Sequence, residues 1–135
     1  MQFRILLLSA LAASIATALP QQVVSGDEVT GTQCLDTSIQ FDTHSTNVAI
    51  LGICGGIASS IQKCGGNPSS TTGQSGTSLF TLNATDAGST INISKGRWER
   101  CVKAAQLTCP QGSFQTTCIG GATPSGDVSF SLTEA

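Results

Sequence analysis

The chain has 135 residues, six cysteines and a formal net charge of -2, and only 10% of its residues are charged, against about 25% in ordinary globular proteins. So weak and slightly acidic a balance excludes general electrostatic attraction to nucleic acid or to anionic lipid. Abundant Ser and Thr make the surface neutral and rich in hydroxyls.

The opening MQFRILLLSALAASIATALP carries one positive charge, Arg4, then an apolar run from Ile5 to about Ile15, and small residues at Ala16 and Ala18. This is the layout of a secretory signal peptide, with cleavage expected after Ala18. The run falls short of the roughly 20 apolar residues that cross a bilayer, and no later stretch reaches that length, so no transmembrane segment is expected. Residues 19–33 are polar and aperiodic and read as a flexible leader, leaving residues 34–135 as a single cysteine-stabilised domain. No dibasic processing site occurs.

In CLDTSIQFD, Leu35, Thr37, Ile39 and Phe41 alternate with Asp36, Ser38, Gln40 and Asp42, the period of a strand with one buried face. In the next stretch Ile50, Ile53, Cys54, Ile57, Ile61 and Cys64 recur at helical spacing. Ser45 or Thr46 can cap that helix and Gly65 with Gly66 can end it. Gly52, Gly55 and Gly56, with Ser59 and Ser60, form a second, small-residue face open to another backbone, with the second helix as the expected occupant and a break near Gly55 as the alternative. NPSSTTGQSGTS reads as a turn-rich loop. Phe80, Leu82 and Ala84, then Ile91 and Ile93, alternate with polar residues on either side of DAGS, which predicts a hairpin. Trp98, Cys101, Val102, Ala105 and Cys109 share one face of a second helix, ended by Pro110. A weaker strand near Phe114 to Cys118 and a strong one over Val128, Phe130 and Leu132 complete the chain.

The order β-α-β-β-α-β, with an extra strand allowed, is most simply satisfied by an α+β sandwich in which two helices pack on one face of a mainly antiparallel sheet. An even cysteine count in an exported chain predicts three bridges among Cys34, Cys54, Cys64, Cys101, Cys109 and Cys118, for which 15 connectivities exist. Cys101 and Cys109 lie roughly 12 Å apart along a helix, beyond the Cα separation of about 7 Å that a disulfide tolerates. Cys54 to Cys64 fails likewise if its helix is unbroken.

Chemistry-bearing constellations are few. No C-x-x-C is present and His44 is the lone histidine, so neither a redox pair nor a zinc site of usual spacing can be assembled, and no metal or cofactor is expected. GQSGT departs from the nucleophile elbow at its last residue. A triad would have to draw on His44 and Asp42, while Asp36 and Asp42, six residues apart on a strand, stand too far apart for a glycosidase pair. The chain therefore reads as nonenzymatic. Asn83 in NAT and Asn92 in NIS are glycosylation sequons. The polar strand face, expected to show Asp36, Ser38, Gln40, Asp42, Thr81, Asn83, Thr90, Asn92, Ser129 and Ser131, could meet a sugar or simply water. Lys95, Arg97, Arg100 and Lys103 are the one concentrated positive patch. Glu99 is placed to pair with Lys103, whereas Lys95 and Arg97 at the helix start oppose its dipole, which points to a binding partner.

CLDT at the start of a strand, a helix bearing Cys54 about twenty residues on, and SKGRWERCVKAAQLTC together resemble the killer-toxin fold of smut-fungus viral toxins, shared by small cysteine-rich fungal effectors. The resemblance spans most of Cys34 to Cys118. It implies a secreted, nonenzymatic α+β sandwich that either kills competing cells or acts on a host plant. The missing dibasic sites depart from the toxins' processed precursors, and the low charge argues against membrane lysis. The expectation is thus an extracellular effector or virulence-associated protein acting through a host protein, with a lectin or cell-wall glycan binder as the alternative and a killer-toxin-like antimicrobial as the third reading.

Overall fold

The computed structural model describes residues 28–57, 64 and 66–135. The expected signal peptide, residues 19–27 of the expected leader, and Ser59, Ser60, Ile61 and Gly65 lie outside the described residues. The fold is α+β: two helices, a six-stranded antiparallel sheet and three disulfides.

The first strand, β1 (Val29–Cys34), begins inside the segment read as leader, and the expected strand from Cys34 to Asp42 is a loop. Asp36 is the reason. Its carboxylate accepts from both the backbone N–H and the hydroxyl of Ser38, at 2.9 and 2.6 Å, folding the chain into an Asx turn. Leu35, which the alternation placed inward, is 49% exposed.

Helix α1 (Thr43–Leu51) is capped by Asp42 rather than by Ser45 or Thr46; the Asp42 carboxylate accepts from the Ser45 N–H at 2.8 Å. It stops well short of Cys64. A 3-10 turn follows (Ile53–Gly55), with Cys54 at φ 57° and Gly56 at φ 115°, so the helical stripe breaks at the glycines. The break permits the Cys54–Cys64 bridge that an unbroken helix would forbid.

The expected loop after Pro68 contains β2 (Ser70–Ser75), which turns through Gly76 and Thr77 into β3 (Ser78–Ala84). Gly76 at φ 57° supplies the left-handed residue such a two-residue connection needs. Gly73 in β2 lies beneath α1. A Cβ there would collide with the Ala49 carbonyl and come within 2.9 Å of the Ile53 nitrogen. Of the expected small-residue face, Gly52 packs against Gly73 of this strand, while Gly55 and Gly56 lie beyond α1 with open space around them.

The expected hairpin between residues 80–84 and 90–94 does not form. β3 pairs with β2 and with the last strand, while β4 is only Thr90–Ile91 and pairs with the distal half of β5 (Phe114–Thr123). Asp86, after β3, accepts from the Ser125 hydroxyl at 2.9 Å, which ties the intervening turn to the corner between β5 and β6 (Asp127–Glu134). Strand order is β1-β5-β6-β3-β2.

Helix α2 (Lys95–Thr108) keeps its predicted face: Trp98, Cys101, Val102, Ala105 and the following Cys109 are buried. The Ser94 hydroxyl caps it through the Arg97 N–H. Trp98 stands edge-on to Phe80 and Phe130, with ring centroids 5.3 and 4.8 Å away. Its indole N–H donates to the Ile50 carbonyl at 2.7 Å, so one side chain ties both helices to the sheet. The bridges are Cys34–Cys109, Cys54–Cys64 and Cys101–Cys118. The first joins the end of β1 to the end of α2, and the third joins α2 to β5.

Candidate functional site

Packing both helices on one face leaves the other face of the sheet open. Cross-strand partners line up there as Thr72, Thr81, Ser131, Gln115 and Gln33, and beside them as Ser70, Asn83, Ser129, Thr117 and Thr30. Every one is a neutral hydroxyl or carboxamide, since the apolar phase of each strand has gone into the core. A shallow hollow of about 340 Å³ lies over this face. Asp36 and Asp42, which the expected first strand would have added to it, stand in the loop instead, and Thr90 and Asn92 lie beyond its edge.

The two sequons differ in setting. Asn83 is exposed on the open face, on β3 beside the edge strand. Asn92 is half-buried and donates its amide to the Thr123 hydroxyl at 2.6 Å.

Three of the four basic residues of α2 are engaged within the protein. Lys95 pairs with Glu99 at 3.1 Å, so Glu99 turns back toward the helix start and not forward to Lys103. That contact offsets the cost of a cation at the positive end of the helix dipole. Arg100 lies 3.6 Å from Glu28, and Arg97 donates to the Ile119 carbonyl at 2.7 Å. Lys103 is exposed and pairs with no carboxylate among the described residues. The four cations are spread around the helix and three of them close local contacts.

A cleft of about 310 Å³ opens where the 35–42 loop, the first turn of α1 and the end of α2 meet. The half-buried Phe41 lies in it over the buried Phe114 and Leu132, and Gln40, Asn47, Gln106 and Gln111 line it together with Thr43. Among the described residues no charged side chain lines it. The walls are fixed. The Cys34–Cys109 bridge closes one end. The Leu35 N–H donates to the Ser113 carbonyl at 2.9 Å, the Ser113 N–H to the Asp36 carbonyl at 3.0 Å, and the Asp36 N–H to the Ser113 hydroxyl at 2.9 Å. Gly112, at φ +85°, lets the 109–113 turn lie against Asp36 and Thr37, where a Cβ would strike backbone.

The carboxylates beside the cleft are structural in their contacts. The hydroxyl and N–H of Ser38 hold the Asp36 carboxyl below its ordinary range, and the N–H of Ser45 does the same for Asp42. His44 is exposed in the first turn of α1, and Ser75 of GQSGT ends β2 opposite Ser78. Among the described residues no group of three or more His, Cys, Asp or Glu is placed to hold a metal, and no helix is long and apolar enough to cross a membrane. The cleft itself escapes sequence reasoning. Gln40 is read as strand surface and Phe41 as strand core, while Asn47, Gln106 and Gln111 belong to no motif.

No protein-family model, curated protein or solved structure matches this chain.

Proposed function

We propose that the mature chain is a secreted, nonenzymatic recognition protein, a cysteine-rich effector of the killer-toxin-like kind, that acts outside the cell by engaging a host partner. The observation that carries this reading is the cleft: a rigid recess stitched by a disulfide, whose polar lining has recognition groups but no arranged nucleophile and base. Leu35 and Leu107, 49% and 68% exposed, flank in sequence the bridge that closes the cleft and add apolar surface suited to a partner. Three disulfides in so small a domain suit an oxidising extracellular setting.

The test is infiltration of the purified, disulfide-intact protein into leaf tissue, with necrosis and immune signalling as readouts. A response abolished by reduction and alkylation is expected. A response equal for native and reduced protein, or none with either, refutes the effector reading. A second reading, a small secreted lectin or cell-wall glycan binder, is favoured by the neutrality of the cleft lining and can coexist with the first, since an effector can reach its host through a glycan.

A further inference from the structure

Three of the four cations of α2 are engaged in contacts of their own, and the open face of the sheet carries a sequon, Asn83, whose glycan would shield it. The cleft beside the Cys34–Cys109 bridge is different, because its polar groups are aimed at nothing in the protein. Among the described residues, none of the side chains of Gln40, Asn47, Gln106 and Gln111 hydrogen-bonds to another residue, although each offers two N–H donors and a carbonyl acceptor.

The chemistry of the lining narrows the ligand. A phosphate, carboxylate or ammonium group entering the cleft would give up hydration and find no opposite charge. Carboxamides that both donate and accept suit hydroxyl groups, which do the same. Beneath them the half-buried Phe41 presents its ring, backed by the fully buried Phe114, so the ligand also meets a hydrocarbon surface. A molecule that is neutral, ringed with hydroxyls and apolar on one face is a sugar. The volume sits at the low end of the range of about 300–1,000 Å³ usual for ligand sites, which suits one sugar residue with its neighbours outside. The walls are held by a disulfide and backbone hydrogen bonds before any ligand arrives, which lowers the ordering cost of binding.

We propose that this cleft binds one neutral sugar residue of an extracellular oligosaccharide, with Gln106 and Gln111 from the α2 side and Gln40 and Asn47 from the loop and α1 side as its hydrogen-bonding groups. The inference rests on the reading of the chain as an extracellular recognition protein and names what it recognises.

The test is a glycan array of neutral and acidic oligosaccharides, plant and fungal, probed with the disulfide-intact protein, followed by NMR titration of the best binder. Saturable binding to a neutral glycan is expected, with shift changes confined to residues 39–47 and 106–114. Gln106→Ala and Gln111→Ala should each weaken it about tenfold, the loss expected for a hydrogen-bonded contact worth about 1.4 kcal/mol. Ser129→Ala with Ser131→Ala, on the opposite face, should leave it unchanged. Preference for acidic glycans, shifts that map to the open sheet face, binding of peptides alone, or no binding across the array would overturn the proposal. A leaf response abolished by reduction, together with no binding across the array, would sink the sugar site while sparing the effector reading; sugar binding without any leaf response would do the reverse.

Discussion

Replacing Cys34 and Cys109 together by Ala should cost more stability than deleting the Cys54–Cys64 bridge, and the magnitude follows from the fold. The bridge spans 75 residues, while Cys54–Cys64 spans 10. Loop-closure entropy converts those lengths to about 4.5 and about 2.7 kcal/mol. Cys34 is exposed, so little cavity is left on that side and chain entropy dominates the difference. Against a typical net stability of about 5–15 kcal/mol, the larger loss leaves the domain marginal. Urea unfolding followed by Trp98 fluorescence would read the effect directly. With a slope of about 2 kcal/mol per molar, the C34A/C109A midpoint should fall by about 2 M and that of C54A/C64A by a little over half as much. A larger loss in C54A/C64A, or equal losses in both, would refute the assignment of the long bridge as the stronger clamp of the two.

Other outcomes follow from single contacts. Gly73→Ala drives a Cβ into the backbone of α1 and should cost about 3 kcal/mol, the upper end of overpacking, seen as a melting temperature lowered by roughly 10 °C; a melt within error of the wild type would show that α1 does not lie on β2. The Asp42 carboxyl is held low by the Ser45 N–H, so its capping contribution is present above its unfolded pKa and is lost as pH falls through the depressed folded value. Asp42→Asn keeps a capping oxygen and removes the titration, so its melting temperature should fall less steeply than that of the wild type below about pH 4, whereas an unchanged slope would dismiss the cap. Expressed through a eukaryotic secretory pathway, the protein should carry a glycan at Asn83, and Asn83→Gln should remove one glycan's mass by intact mass spectrometry; no mass change would leave the open face bare.

Trp98, Cys101, Val102 and Ala105 were readable because their stripe runs the length of a helix that has a hydroxyl cap at Ser94 and a proline just beyond its end. Val128, Phe130 and Leu132 were readable because strict alternation has no competing explanation. CLDTSIQFD alternates too, but a two-residue contact between Asp36 and Ser38 outweighs the pattern, and pairing with Ser113 rather than with a neighbouring strand supplies the backbone bonds. β2 was hidden for the opposite reason. STTGQS has no apolar phase to detect, because the inward position beneath α1 is Gly73, and what fills the space is the backbone of the helix. Glycines that read as turn punctuation were there for close approach.

The candidate site illustrates a separate limit. Gln40, Asn47, Gln106 and Gln111 come from a loop, two helices and a turn, and amides carry no spacing rule that would mark them as a set. What brings them together is the closure of Cys34 on Cys109, one of many connectivities open to six cysteines. The cations of α2, by contrast, stand out in the sequence through charge density alone. In the fold Lys95 pairs with Glu99, Arg100 meets Glu28, and Arg97 satisfies the Ile119 carbonyl. Exposed pairs of this kind contribute up to about 1 kcal/mol each, yet they remove the cations as free recognition groups. Reversing Arg100 to Glu should therefore change melting by no more than a few degrees and leave sugar binding untouched. A loss of glycan affinity in that variant would move the binding site from the neutral cleft to the basic face of α2, and with it the class of ligand.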